Sequence, residues 1–460
     1  MPSPYRLVVS AAALCTVSAL LSGSCGKPQR PSDSSGDSSP THADALAAAS
    51  TWLRGTSIPF DRIEPAENLD DLEPLRRLVG DARVVSLGEA THGTREFFQM
   101  KHRILRFLVE RMGFTAFAME ATWPEANRLD GYVRTGEGDP AVLLSGLYFW
   151  TWNTDEVLQM IQWMRARNQA GGNVGFFGFD MQHPGMALAN IARFVSAVDP
   201  AASSEFAQRY SCLGKYANDP MGRFPAPGYK DQALPYRDNC WQDLRWVLDT
   251  LTSRQAVYEA ASSRAAWASA VQSARVAIQY EESTSQRRSR DMAMADNAKW
   301  LLDQLPDGGR IVLWAHNGHV ATQTGVMGGA LREMLGPAMV TFGFSFAQGT
   351  FNAVGVSGST YTALGPHTVG APKYDSYEEY FAAAAVPRFF LDLRNRSALP
   401  DTPSWLPGPR SARSIGAVYA DTNPDGYYYQ ARLPREFDVV IFLDRTTAAV
   451  PLPFNYPATF

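Results

Sequence analysis

Four short apolar runs constrain this chain most, because each is β-prone and each breaks off into ionisable residues. Residues 83–87 (RVVSL) lead into Gly88-Glu89-Ala90-Thr91-His92-Gly93, and 115–119 (TAFAM) into Glu120. Residues 174–179 (VGFFGF) lead into Asp180, and 310–314 (RIVLW) into Ala315-His316-Asn317-Gly318-His319. Runs this short, with little polar alternation, read as strands covered on both faces. Helical spacing fills the intervals. Residues 94–112 set Phe97, Ile104, Leu105, Leu108 and Met112 on one stripe, and Gly113 stops them. Residues 155–169 and 291–305 follow the same design. Strands alternating with helices predict an α/β fold, a largely parallel (mixed) central sheet flanked by helices on both faces. Ligands bind such sheets outside the carboxyl ends of the strands. All four polar clusters fall there, so one pocket is expected to gather them.

The remaining chain is divided by composition. Arg6, an apolar stretch over 7–21 and the small residues Ser22, Gly23 and Ser24 before Cys25 read as an export signal ending in a lipobox. The apolar run falls short of the roughly 20 residues that a membrane span needs. The expected location is periplasmic or extracellular, with the membrane reached only through a lipid on Cys25. Residues 26–43, with KPQRPSDSSGDSS at 27–39, form a tether too polar to order itself. The catalytic domain is expected over 44–460, with a first helix capped by Asp44 and another over 71–78 stopped by Gly80. A helical insertion, placed as a lid would be, is expected at about 186–290. Strands at 339–344, 389–393 and 437–443 extend the same sheet. A formal net charge of -4 excludes nucleic acid as a partner, since phosphate binders carry a basic face. Of four cysteines, Cys15 leaves with the signal and Cys25 belongs to the lipobox. Cys212 and Cys240 remain, either as a disulfide in an oxidising compartment or as two buried thiols.

Three of the seven histidines sit in two short motifs. His92 lies in a Gly-flanked turn before a helix, where the helix N-terminus favours the neutral imidazole that a general base requires. A lone histidine there would more often be a cap or a satisfied core residue. Glu89 and Glu120 can orient it or hold a water, or serve only as caps or surface ion partners. His316 and His319 can share a face if their turn is helical, and polarise a substrate oxygen or protonate a leaving alcohol. Alternatively one acts and the other packs. Lys101 interrupts the apolar stripe of its helix, so it either snorkels or points into a polar cavity near a carboxylate or a developing oxyanion. Arg290-Asp291 and Asp180 carry less weight and are equally well structural.

These motifs resemble those of the erythromycin esterase family. The similar segments are LGEATHGTREFFQMKHRILRFLVERMGFTAFAMEA (87–121), GFDMQ (178–182), RDMAMADNAKWL (290–301) and VLWAHNGHVA (312–321), with looser likeness in SYEEYF, FFLDLR and FDVVIFLDRT. The resemblance implies hydrolysis of a macrocyclic lactone ester, as in a macrolide, with no cofactor and no obligatory metal. It implies His92 as base, Glu89 and Glu120 as its acidic support, and His316 with His319 as the second histidine pair. Some members have Arg where this chain has Lys101, which keeps the charge and loses the bidentate fork. The expected partner is a small-molecule ester attacked by His-activated water, since no G-x-S-x-G elbow occurs. Two other readings stay open: the same His/Glu set holding a divalent metal, and a non-catalytic surface lipoprotein that binds a ligand in this cleft.

Overall fold

The computed structural model describes residues 41–214, 240–394 and 401–454. The export signal, the Cys25 lipobox and the tether up to residue 40 lie outside the described residues. The strands are β1 (Ile58–Pro59), β2 (Val84–Leu87), β3 (Ala116–Thr122), β4 (Gly175–Asp180), β5 (Ile311–Trp314), β6 (Met339–Ser357), β7 (Thr360–Val369), β8 (Arg388–Asp392), β9 (Arg410–Arg413), β10 (Val418–Tyr419), β11 (Tyr428–Ala431) and β12 (Val439–Thr446). The helices are α1 (His42–Thr56), α2 (Leu75–Val79), α3 (Arg95–Met112), α4 (Trp123–Thr135), α5 (Pro140–Ser145), α6 (Asp155–Gln169), α7 (Gly185–Val198), α8 (Ser203–Gly214), α9 (Trp241–Ser253), α10 (Gln255–Ala261), α11 (Arg264–Thr284), α12 (Arg290–Gln304), α13 (Asn317–Val320), α14 (Met327–Leu335), α15 (Tyr377–Ala383) and α16 (Leu433–Glu436).

The main sheet runs β1-β8-β12-β6-β2-β5-β3-β4, and β7 and β10 also pair with the long β6. From β12 to β4 every neighbouring pair on this path is parallel, whereas β8 and β1 join antiparallel at the edge. The chain is therefore α/β with a mixed, mostly parallel sheet, as its pattern predicts. Alternation along each strand divides the core in two. Val84, Ala116, Ala118, Ile311 and Leu313 face one apolar cluster. Val85, Leu87, Phe117, Met119, Val312 and Trp314 face the other. Helices cover both faces, so β2, β3 and β5 are buried throughout.

Some boundaries move for local reasons. The first helix starts at His42 because Thr41, not Asp44, is the N-cap; Asp44 closes a reciprocal capping box onto Thr41. Residues 70–79 form a 3-10 turn and then α2, with Pro74 between them and Gly80 at the stop. The 186–290 region is helical where it is described, from α7 to α11, and Cys212 and Cys240 are disulfide-bonded. Among the described residues no helix is long and apolar enough to cross a membrane.

Candidate active site

Parallel registry sets the height of the site. Leu87 pairs with Trp314, and Trp314 with Met119. The residues that follow these three positions leave the sheet side by side. Glycine shapes the first of the three loops. A Cβ on Gly88 would collide with Asn317 Oδ1, and one on Gly93 with the Asn352 backbone. The loop is thereby pressed against its neighbours. The Gly93 carbonyl accepts from the N–H groups of Asn352 and Ala449, each at 3.0 Å, and the Ala90 carbonyl accepts from Ile415 N–H at 2.8 Å.

Glu89 lies under this loop, fully buried, with both carboxylate oxygens engaged. Its Oε1 accepts from His92 Nδ1 at 2.7 Å. Its Oε2 accepts from Lys101 Nζ at 2.6 Å and from Trp314 Nε1 at 2.8 Å. Burial pushes the carboxyl's pKa up, but Lys101 and His92 outweigh it and hold the group below its ordinary range. Lys101 is equally inaccessible and sits 4.2 Å from the Trp314 ring centroid. Burial draws its pKa down to about 8, against the pull of Glu89. With Nδ1–H committed to Glu89, the His92 ring keeps Nε2 as its lone-pair nitrogen. Among the described residues His92 makes no second hydrogen bond. Its ring stands 4.9 Å from that of His316 and edge-on to Trp152 at 5.7 Å.

A second group forms around Arg290 at the start of α12. Its guanidinium donates to Glu120 Oε1 at 2.7 Å and to Asp180 through Nε at 3.1 Å and Nη2 at 2.7 Å. His319 Nδ1 donates to Asp291 Oδ1 at 2.8 Å, and its Nε2 lies 3.3 Å from Glu120 Oε1. Burial opposes charge on His319, yet Glu120 and Asp291 prevail and raise its pKa to about 9. Glu120 and Asp291 thus favour the imidazolium near neutrality, against Arg290, whose Nη1 lies 3.2 Å from His319 Nε2. Glu120 is correspondingly held well below the carboxylate range, burial notwithstanding, by His319 and Arg290.

His316 joins the two groups. Its backbone N–H donates to Glu120 Oε2 at 3.0 Å. Its Nδ1 accepts from Gly318 N–H at 3.1 Å, which caps α13, and its Nε2 donates to the Ile415 carbonyl at 3.1 Å. Burial first, and then the nearness of His92, draws its pKa down to about 3, so the ring is neutral. The turn is helical only from Asn317. His316 thus lies outside it as a cap, and its ring contacts differ from those of His319. Electrostatic contact joins the groups as well, since Glu120 acts on Lys101 and His92 acts on Glu120.

All six residues singled out in the sequence thus meet in one region at the strand ends. Arg290, Asp291 and Asp180, given less weight there, are bonded into it. Trp152, which donates to the Glu120 carbonyl at 3.0 Å, and the Ile415 carbonyl were not anticipated. Trp152 lies in the aperiodic run LYFWTWN, and a backbone carbonyl leaves no mark on side-chain pattern. Chemically the region offers a carboxylate-oriented imidazole beside an imidazolium and a guanidinium. Among the described residues, no three His, Cys, Asp or Glu side chains are grouped so as to hold a metal ion.

The family model of erythromycin esterase matches residues 109–446. The match contains Glu120, His316 and His319 and begins after Glu89, His92 and Lys101. The Escherichia coli protein named erythromycin esterase type II is 34% identical over 137 residues, which is 29% of this chain and 32% of that protein. A Bacillus subtilis protein named as a hydrolase, YbfO, is 23% identical over 424 residues, covering 87% of this chain and 91% of its own length. The solved open conformation of a mutant erythromycin esterase, EreC, superposes with a TM-score of 0.65 at 18% identity. The superposition covers 85% of this chain and 98% of the solved one, and the likeness is one of fold.

Proposed function

Because the chain belongs to the erythromycin esterase family and is an esterase-like hydrolase, we propose that it hydrolyses an ester with water activated by His92. His92 Nε2 takes a proton from water, and the resulting hydroxide adds to the ester carbonyl. Glu89 steadies the imidazolium formed on His92 through its 2.7 Å contact with Nδ1. The oxyanion is stabilised by the positive charge of His319. When the tetrahedral intermediate collapses, the carbon–oxygen bond to the alcohol breaks. The His92 imidazolium returns its proton to the departing alkoxide, leaving an alcohol and a carboxylic acid, which then loses its proton to solvent. Lys101 acts beneath the base by keeping Glu89 ionised, and His316 sets the plane of the His92 ring.

One observation carries this reading: the buried Glu89 is pinned by Lys101 and Trp314 and aims His92 so that one ring nitrogen is left for water. No hydroxyl or thiol among the described residues bonds His92, which favours water over a side-chain nucleophile. The proposal extends to an exported enzyme anchored through Cys25. The apolar run over 7–21 supports export, and so does a Cys212–Cys240 bond of the kind that persists in oxidising compartments. A macrolide lactone is the first substrate to try, because one relative is named for erythromycin. The test incubates purified protein with macrolides and simple esters and follows the gain of one water by mass spectrometry. His92→Ala is expected to lower turnover by roughly three orders of magnitude or more. Undiminished turnover in that variant removes His92 from the mechanism.

A further inference from the structure

The segment that follows β9 touches both halves of the base assembly. Ile415 N–H donates to the Ala90 carbonyl at 2.8 Å, inside the loop that carries Glu89 and His92. The carbonyl of the same residue accepts from His316 Nε2 at 3.1 Å. One peptide segment therefore holds the His92 loop through its N–H and the His316 ring through its C=O. A backbone carbonyl only accepts, so this contact requires a proton on His316 Nε2. The Gly318 N–H only donates, so the opposite nitrogen must be bare.

Two buried residues outside the site, Glu378 and Arg413, hold this segment in place. Glu378 on α15 is 2% exposed, and its Oε1 accepts from Arg413 N–H at 2.9 Å and from Ser345 Oγ at 3.2 Å. The Arg413 side chain is buried too. Its Nη1 donates to the Ala347 carbonyl at 2.8 Å, and its Nη2 to Tyr428 Oη at 2.6 Å. Ser414 N–H donates to the Tyr427 carbonyl at 2.8 Å. Residues 413, 414 and 415 are thus each tied to a different element: α15 and β6, the residue before β11, and the His92 loop. Burying an arginine and a glutamate is costly unless every contact is made, and Glu378 Oε2 is buried with no hydrogen-bond partner among the described residues.

We propose that Glu378 and Arg413 are positioning residues of the hydrolytic site, acting through the Ile415 carbonyl to keep His316 in its Nε2–H form against His92. The inference rests on the His92 reading. It adds a remote clamp on ring orientation, which affects the chemical step more than substrate binding.

The test uses the full chain labelled with 15N-histidine, with His316 assigned by substitution. In the unaltered protein between pH 6 and 8, His316 should show a protonated Nε2 and a bare Nδ1. Glu378→Ala should mix the two tautomers and lower kcat by about 10- to 100-fold, with KM within about twofold. Glu378→Gln keeps an oxygen facing the Arg413 N–H and should restore kcat to within about threefold. A His316 that carries its proton on Nδ1 in the unaltered protein overturns the proposal, as does a fully charged ring. So does a folded Glu378→Ala whose kcat stays within about twofold. Should Glu378→Ala not fold, Arg413→Lys is read by the same two measurements, and the unaltered spectrum still decides the tautomer. Full turnover in His92→Ala would refute the parent reading by itself, whereas the His316 spectrum reports on the clamp whatever His92 does.

Discussion

His319 and Lys101 are two residues whose protonation the fold changes in ways that can be followed with pH. His319 is raised from 6.5 to about 9 by Glu120 and Asp291, against the opposing effect of burial. Its stabilisation is therefore complete below about pH 6.5 and is lost as pH rises through about 9. Lys101 works in the other direction. Burial lowers it from 10.5 to about 8, so between these values the unfolded chain holds the extra proton and stability recovers with rising pH. From pH 6.5 to 8 the His319 effect is falling, but the buried neutral His316 and His102, both lowered to about 3, oppose it until the unfolded imidazoles have lost their protons near pH 7.5. The urea midpoint is expected to fall above about pH 7.5 and to level off between pH 8 and 9, where His319 and Lys101 oppose each other. His319→Asn should remove the decline that sets in above about pH 7.5. A decline of equal size in that variant would show that His319 does not hold its proton as described.

At the scale of elements, the order of the strands was less legible than their ends. Each βα unit announces itself by a β-prone run and a polar break, and the four strands stand within a few residues of their expected places. Nothing local says that β5 inserts between β2 and β3. That order sets Trp314 beside Leu87, and its ring nitrogen bonds Glu89, a contact 225 residues apart in sequence. The site residues were legible because charged side chains at buried strand ends are costly without a purpose. Their pairing was not, since partners such as Asp291 with His319 depend on where α12 lands. The expected strand over 339–344 proves to run to Ser357, and its Gly343 and Gly349 look like breakers. Gly343 instead makes room for the Phe437 ring, and Gly349, at φ 138, lets the strand pass close to Thr446. Asn317 shows how such elements are fastened. Its side chain bonds both backbone groups of Phe344, donating at 2.8 Å and accepting at 3.1 Å, and so ties α13 to β6. Asn317→Ala leaves two buried backbone groups unpaired, and a stability loss of about 2–4 kcal/mol is expected. Urea unfolding measures it, and a loss under about 1 kcal/mol would mean that α13 is held by something else.

For the whole molecule, the sheet separates two kinds of work. Residues that surround His92 leave the carboxyl ends of four adjacent strands. The helices from α7 to α11 pack against one another and against one face, where Cys240 is fully buried in the apolar cluster and Cys212 packs beside it. The disulfide joins residues 28 apart, between α8 and α9. Its effect should therefore be carried by the unfolded chain and by that helical layer, not by the imidazoles. A cross-link closing a loop of this length contributes on the order of 3 kcal/mol by reducing the freedom of the unfolded state. The double variant Cys212→Ser with Cys240→Ser is expected to lose about that much in urea unfolding, with faster hydrogen exchange in α8 and α9. Turnover of a simple ester should stay within about twofold, since neither cysteine takes part in the site. A drop in kcat as large as that of His92→Ala would tie the helical layer to the chemistry. It would also end the view that the layer and the strand-end site can be altered separately.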